Sequence, residues 1–155
     1  MNKEEKELLL KDLCARLPYG VIVRHADSLE DSDGNYTGQF WYKRGYLYDV
    51  CRLDDITTTI IESEGSDEEG YKHICDLERS LPYLRPMSSM TEEEMKEYYT
   101  FQYKFTFQTH EHQELNKETF SEYLDWLNAH HFDYRGLIEK DLAIEVTEEN
   151  NPYKN

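Results

Sequence analysis

Four histidines are the residues of this sequence with the clearest potential for metal or acid–base chemistry. His130 and His131 are adjacent, and His110 and His112 flank Glu111. Consecutive residues of an α-helix point about 100° apart, so the adjacent pair could bind one ion only if the helix ends between them. The second pair has the spacing of one strand face and not that of a zinc-binding helix. We therefore expect no metal site and no cofactor, and keep a metal-dependent enzyme as a second alternative.

An anion-binding site could form where a helix begins near residue 91. Thr91 is preceded by Arg85, Ser88 and Ser89. These side chains offer a guanidinium group and hydroxyl groups beside the free N–H groups of a helix start. The glutamates at 92–94, however, would repel a phosphate, and the last of them forms a capping box with Thr91. We favour a structural cap here and keep anion binding as the alternative.

A third group of residues has the composition of a protein interface. Trp126, Tyr134 and Arg135 lie in one short segment, and these residue types are enriched among the side chains that dominate binding energy. Arg135 could instead anchor a structural corner by pairing with Asp133 or Asp125. The corner is the favoured interpretation, and a binding face is the alternative. The candidate binding residues are Arg85, Ser88, Ser89, Trp126, Tyr134 and Arg135.

The segment from Thr119 to Val146 must position most of these side chains. Its apolar stripe consists of Phe120, Tyr123, Leu124 and Leu127. The i, i+3, i+4, i+7 spacing places such side chains on one helix face, which predicts that they are core residues. Thr119 and Glu122 match a capping box, so the helix should begin at Thr119. Asp133 can then cap a short helix that runs to Lys140.

The first half of the chain predicts a helix followed by a small antiparallel sheet. Residues 3–17 are amphipathic, and Pro18 ends the pattern. Residues 21–23 form a short β-branched run, and the region 36–61 is rich in aromatic and β-branched residues. Within that region, residues 43–45 predict a hairpin turn with glycine at its end. These runs predict three or four strands.

A second helix should follow the proline-containing segment 81–94. Pro82 and Pro86 exclude regular helix within that segment and favour extended backbone. The aromatic residues over 100–108 fit both the period of a strand and the period of a helix. We expect the helix to end at about Lys104.

Charge and composition limit the classes of partner. The chain has 155 residues, and 33 acidic residues against 17 basic ones give a net charge of -16. Such a surface repels nucleic-acid phosphates and attracts a partner with a basic surface. No apolar run approaches the ~20 residues of a membrane span, and the three cysteines match no zinc spacing. We expect a cytoplasmic protein that binds neither nucleic acid nor membrane directly.

Three segments of the sequence resemble a known family. They read LLLKDLCARLPYGV, LPYLRPMSSMTEEE and DWLNAHHFDYRGLIEKDLA. All three are similar to segments of a family of short uncharacterised proteins from gut Bacteroidales and their phages and mobile elements. Family members usually have glycine where this chain has Asp141, at the position expected to end the short helix in the left-handed conformation. The resemblance implies a bacterial cytoplasmic protein encoded by a phage or mobile element, and it transfers no catalytic residue.

These patterns together predict a single α+β domain over residues 1–155. A small antiparallel sheet of three or four strands should pack with an N-terminal helix and two C-terminal helices, followed by a frayed tail from Thr147. The leading function is a non-catalytic, acidic protein–protein interaction module, in the form of a phage or mobile-element accessory or anti-defence factor. One version is mimicry of nucleic-acid charge. The first alternative is binding of a small molecule or nucleotide signal, with Arg85 or Arg135 holding phosphate.

Overall fold

Three α-helices and a six-stranded mixed sheet make up the described part of the chain. The computed structural model describes residues 1–30, 33, 35–53, 56–63, 72–110 and 117–154. The helices are α1 (Lys3–Arg16), α2 (Glu92–His110) and α3 (Lys117–Ala129). The strands are β1 (Ile22–Glu30), β2 (Tyr36–Leu53), β3 (Ile56–Ser63), β4 (Lys72–Asp76), β5 (Ser80–Leu84) and β6 (Ile144–Glu145). The α+β class is confirmed, but the sheet is larger than the predicted three or four strands.

The sheet is curled, and its strand order is β4-β3-β2-β1-β5-β6. The first four pairings are antiparallel, and β5 pairs with β6 in parallel. A 3-10 turn at Leu77–Arg79 carries the chain from β4 to β5, on the far side of β1. Cys75 Sγ of β4 nevertheless lies 3.5 Å from His25 Nδ1 of β1. The strands therefore wrap into a half-closed barrel with an interior face and an outer face.

Helix α1 covers the interior face and forms the main core with it. Leu9 and Leu13 of the helix are fully buried against strand residues such as Val23, Leu47 and Ile61. The predicted helix at residues 3–17 is confirmed, with its C-terminal boundary at Arg16. Burial of these aliphatic side chains contributes about 1.5–3 kcal/mol each, so α1 is held mainly by its apolar side.

The predicted hairpin turn at residues 43–45 is wrong, because β2 runs through it without interruption. Gly45 pairs with Val23 on one side and with Ser63 on the other. A Cβ atom on Gly45 would lie 2.5 Å from Ile61 Cγ2 and 2.6 Å from the Glu62 carbonyl oxygen. The glycine thus permits close approach of two strands, a role that a sequence pattern does not distinguish from a turn.

Helix α2 is longer than predicted and continues past Lys104 to His110. The aromatic region 100–108 is therefore helical, in agreement with the helical and not the strand period of its residues. At its start, the capping box is confirmed: the Thr91 N–H donates to Glu94 Oε2 at 2.7 Å, and the Glu94 N–H donates to Thr91 Oγ1 at 3.2 Å. Glu92 and Glu93 add negative charge at the positive end of the helix.

Helix α3 begins at Lys117, so the predicted start at Thr119 is wrong by two residues. Thr119 lies inside the first turn and is buried, so it does not serve as the predicted cap. The apolar stripe is only partly in the core. Leu127 is 1% exposed, whereas Phe120 is 49% exposed, because the N-terminal half of α3 packs against α2 alone.

The end of the chain is docked on the outer face, and the predicted fraying of residues 147–154 is wrong. The Tyr153 hydroxyl donates to the Tyr83 carbonyl oxygen at 2.9 Å and accepts from the Ile22 N–H at 3.2 Å. Tyr153, Tyr83, Ile22 and Val146 form a second, smaller apolar cluster. The tail thereby covers the β1–β5–β6 end of the outer face.

Candidate functional site

The guanidinium group of Arg85 is held by the start of α2. Its two terminal nitrogens donate to both carboxylate oxygens of Glu94, at 2.7 and 2.8 Å, and Nη2 also donates to the Ser89 carbonyl oxygen at 3.1 Å. The guanidinium carbon lies 4.4 Å from the centre of the Phe132 ring. Such bidentate pairing is among the strong hydrogen-bond geometries, so an anion at this point would have to displace Glu94.

The electrostatics at this helix start favour the carboxylate already present. The Arg85 guanidinium lowers the pKa of Glu94 from 4.5 to about 2, so Glu94 is ionised at neutral pH. Ser89 Oγ donates to the Pro86 carbonyl oxygen at 2.8 Å, and Ser88 is exposed. The arrangement supports the structural cap favoured from the sequence over an anion site.

His130 and His131 contact different aromatic rings, because helix α3 ends at Ala129 and the backbone turns at His131. His131 has a φ of 57°, in the left-handed region. The His130 ring lies 4.6 Å from the Trp126 ring, whereas the His131 ring stacks at 4.0 Å on Tyr153. Burial is the main cause that lowers the pKa of His131 from 6.5 to about 4, so its imidazole is neutral at pH 7.

Within the described part of the chain, no group of three or more His, Cys, Asp or Glu side chains could hold a metal ion. His112 and the side chain of His110 lie outside the described residues, so their part of the histidine hypothesis is untested. An open cleft of about 900 Å³ does adjoin His131. Its lining includes Arg85, Glu94, His131, Glu145, Glu148, Tyr153 and Lys154. The carboxylates make this cleft unfavourable for a phosphorylated ligand.

Tyr134 and Arg135 form a corner that ties the end of α3 to α1. Arg135 Nη1 donates to Asp12 Oδ1 at 3.1 Å and to the Lys11 carbonyl oxygen at 3.3 Å. The Tyr134 hydroxyl donates to Asn128 Oδ1 at 3.0 Å. The partner of Arg135 is thus Asp12, and neither of the predicted partners, Asp125 and Asp133. The geometry supports the corner interpretation.

Asp12 and Arg16 form the buried centre of this corner, and the sequence interpretation missed them. Both side chains are 0% exposed. Arg16 Nε and Nη2 donate to the Asp12 carboxylate at 2.7 and 3.0 Å, and Nη2 also donates to the Phe132 carbonyl oxygen at 2.8 Å. The sequence does contain a pattern that places Asp12 and Arg16 on the buried face of α1. They share the i, i+3, i+4, i+7 spacing of an apolar stripe with Leu9 and Leu13.

Trp126 lies between helices α2 and α3, which pack against each other and which we call the α2–α3 hairpin. Its indole N–H donates to Glu97 Oε2 at 2.6 Å, and its ring lies 6.0 Å from Phe101 of α2 and 5.5 Å from Phe132. Tyr123 lies 5.4 Å from both Phe101 and Phe105. These contacts show that aromatic side chains join the two helices, with Trp126 as one of them.

The opposite side of α2 carries an aromatic stripe that the sequence analysis did not separate from the packed residues. Tyr99, Tyr103 and Phe107 follow i, i+4, i+8 spacing and are 60%, 70% and 51% exposed. The rings of Tyr103 and Phe107 stack at 6.2 Å. We call these three residues the α2 stripe. No other described element covers them.

The exposed charges of the α2–α3 hairpin are predominantly acidic. Its exposed carboxylates on the two helices are Glu92, Glu93, Glu97, Glu118, Glu122 and Asp125. The exposed cations on the same helices are Lys96, Lys104 and Lys117. Glu92 precedes Tyr99 by two helical turns, so it lies in line with the stripe. The hairpin thus carries three exposed aromatic rings and an excess of negative charge.

Comparisons of this chain with protein-family models, curated proteins and solved structures give no match. Among the described residues, no helix has the length and apolar character needed to cross a membrane.

Proposed function

We propose that this protein is a non-catalytic interaction module that binds a protein partner through the α2–α3 hairpin. The α2 stripe is the observation that carries this proposal. Its three neighbouring aromatic side chains are each at least half exposed to water. Burial of this apolar surface against a partner is favourable and would stabilise the complex. Tyrosine is also enriched at the centres of protein interfaces.

The chemistry of the hairpin favours a partner with a basic surface. The hairpin carries six exposed carboxylates against three exposed lysines, and the whole chain carries a net charge of -16. Opposite charge on the partner would raise the association rate and fix the orientation of docking. The partner surface that fits is therefore apolar at its centre and rich in Lys or Arg at its rim, as in an amphipathic basic helix.

The arrangement of the titratable groups is consistent with a non-catalytic role. Arg85, Glu94, Asp12 and Arg135 engage one another in pairs that hold elements together. A small-molecule or nucleotide-signal binder, the alternative function, would need Arg85 or Arg135 to release its carboxylate. The role as accessory or anti-defence factor of a phage or mobile element is proposed from the sequence resemblance alone.

Affinity capture with matched variants tests this function. The protein is immobilised and exposed to lysate of a gut Bacteroidales host, and bound proteins are quantified by mass spectrometry. The test variant is Tyr99→Gln/Tyr103→Gln/Phe107→Gln, which removes the rings and keeps good helix formers. The control is Trp41→Gln, which removes a 53% exposed ring from the sheet.

The expected result is a captured protein with a basic surface that the control retains and the triple variant loses. That protein is then purified and titrated against both variants, with binding that weakens as salt increases. Equal binding by the triple variant and the unmodified protein would rule out the hairpin as the docking surface.

A further inference from the structure

The row of side chains that forms the α2 stripe continues beyond Tyr99 toward the start of α2. Met95 and Thr91 keep its spacing of four residues, so these two side chains and the stripe form one ridge of the helix. Each helical residue adds about 1.5 Å, so the ridge from Thr91 to Phe107 is about 24 Å long. A groove and a cleft adjoin its first end, where a partner that lies along the stripe would meet them.

The groove is shallow, has a volume of about 350 Å³ and lies beside Met95. It is lined by Met90, Thr91, Glu92, Met95, Lys96 and Tyr99. Met90 and Met95 are partly buried, whereas Tyr99 is 60% exposed. Methionine side chains are flexible and polarisable, so they adapt to the shape of an apolar side chain of a partner. The groove is therefore suited to one apolar anchor.

The cleft is the open cleft of about 900 Å³ beside His131, and it shares Thr91 with the groove. Its ionisable lining residues are Arg85, Glu94, His130, His131, Glu145, Glu148, Tyr153 and Lys154. Arg85 and Glu94 are engaged with each other through two hydrogen bonds. Two carboxylates, Glu145 and Glu148, then remain against one ammonium group, so the charge offered to a partner is negative.

A turn near the end of the chain fixes the backbone that carries these two carboxylates. The Asn150 side-chain N–H donates to the Glu145 carbonyl oxygen at 2.9 Å, and Asn150 Oδ1 accepts from the Thr147 N–H at 2.7 Å. Glu145 and Glu148 are exposed. Within the described part of the chain, neither carboxylate forms an ion pair, so both can accept hydrogen bonds from a basic side chain.

The cleft also offers aromatic surface beside its carboxylates. The rings of His131 and Tyr153 line it and stack at 4.0 Å with an interplanar angle of 8°. Guanidinium groups are planar, bind carboxylates through two parallel hydrogen bonds and stack on aromatic rings. Carboxylates next to stacked rings therefore favour arginine over lysine as the side chain that enters the cleft.

We propose that one end of the partner's basic helix occupies the groove and the cleft together, with an apolar side chain at Met90 and Met95 and an arginine at Glu145 and Glu148. This inference rests on the proposed function, because it extends the same interface beyond the α2 stripe. The shared residue Thr91 makes the stripe, the groove and the cleft continuous. Opposite charge at the cleft fixes which end of the partner lies there.

NMR titration with a defined probe tests the arginine site without the partner. The probe is N-acetyl-arginine amide, and the matched neutral probe is N-acetyl-citrulline amide. The test variant is Glu145→Gln/Glu148→Gln. The control is Glu149→Gln, which removes an exposed carboxylate from the same turn but not from the lining of the cleft. Thermal melts accompany the titrations, and Glu148→Gln alone serves if the double variant is destabilised.

The arginine probe should shift the signals of residues that line the cleft, His131 and Tyr153 among them. It should bind about tenfold more tightly than the citrulline probe, as expected for a charge-assisted hydrogen bond. The double variant should lose this preference, and Glu149→Gln should keep it. Shifts confined to other surfaces, equal binding of the citrulline probe, or equal loss in Glu149→Gln would each overturn the arginine site.

Titration of the purified partner then tests the extended interface. Both Glu145→Gln/Glu148→Gln and Met95→Gln should weaken binding severalfold, and Glu149→Gln should not. Unchanged affinity in the first two variants would confine the interface to the α2 stripe, which overturns this inference and leaves the proposed function intact. Loss of binding in these variants but not in the triple stripe variant would instead support the cleft and contradict the proposed function.

Discussion

At the scale of single residues, the buried pair of Asp12 and Arg16 within α1 anchors the C-terminal corner, because Arg16 donates to the Phe132 carbonyl oxygen and Asp12 accepts from Arg135. Replacing Asp12 with Ala would leave the Arg16 guanidinium without its counter-charge at 0% exposure. We expect the free energy of unfolding to fall by about 3–5 kcal/mol, as measured for broken buried ion pairs. Chemical denaturation of the variant checks this value.

A matched control lies on the same helix with the same spacing. Lys3 and Glu7 also form an i, i+4 pair, but their side chains are 89% and 61% exposed. Glu7→Ala should therefore leave the melting temperature unchanged within error. A similar loss of stability in both variants would mean that burial of the charged pair does not cause the effect.

The pKa values of two residues predict how stability depends on pH. His131 protonates at about 6.5 in the unfolded chain but only at about 4 in the folded protein. The unfolded state therefore binds more protons between these values, and the free energy of unfolding should fall as pH decreases from 6.5 to 4. Glu94 adds a second loss between pH 4.5 and about 2, because Arg85 holds its folded pKa low.

Denaturant titrations at several pH values measure this dependence. In His131→Asn, a residue type that tolerates positive φ, the decline between pH 6.5 and 4.5 should be shallower than in the unmodified protein. Identical slopes in the two proteins would mean that His131 is not protected from protonation by the fold.

At the scale of elements, α3 divides into a half that belongs to the core and a half that belongs to the hairpin. Leu127 is 1% exposed, whereas Phe120 is 49% exposed. Leu127→Ala should cost about 2–5 kcal/mol, as a cavity in a packed interior does. Phe120→Ala should cost less than about 1 kcal/mol, because half of the ring already lies in water. Thermal melts compare the two variants, and equal losses would contradict this division of the helix.

The elements also show what could be predicted from the sequence. The period of α1, the prolines before α2 and the box at Thr91 act through local geometry, so their predictions are confirmed. The role of Gly45 could not be predicted from the sequence. This glycine permits the close approach of β3, which is a tertiary contact. The docking of Tyr153 onto β1 and β5 was missed for the same reason.

For the candidate site residues, too, local patterns were predictable from the sequence and long-range contacts were not. Arg85 pairs with the carboxylate of Glu94, nine residues later in the chain. The helix cap formed by Thr91 and Glu94 was predictable because its sequence pattern is local. Arg135 bonds to Asp12, 123 residues earlier in the chain, so the sequence indicated a corner without identifying its partner. The α2 stripe was present in the helical period, but its exposure depends on where α3 packs.

At the scale of the whole molecule, charge is distributed differently over the hairpin and the sheet. The net charge of -16 correctly describes the hairpin, where carboxylates outnumber lysines. On the outer face of the sheet, Arg24, Arg44 and Lys72 come from three strands and are brought together, beside the carboxylates Glu62 and Asp49, only by the register of the strands. The net charge of the chain therefore does not describe each surface separately.

Hydroxyl-radical footprinting of the complex with the captured partner is the most direct test of the central claim, that the hairpin is the docking surface. The method labels exposed side chains, and mass spectrometry locates the labels. In the free protein, Tyr99, Tyr103 and Phe107 should be labelled readily, in keeping with exposures of 60%, 70% and 51%. In the complex, labelling of all three should fall severalfold, whereas Trp41 should be labelled as before. Unchanged labelling of the α2 stripe in the complex would contradict the account.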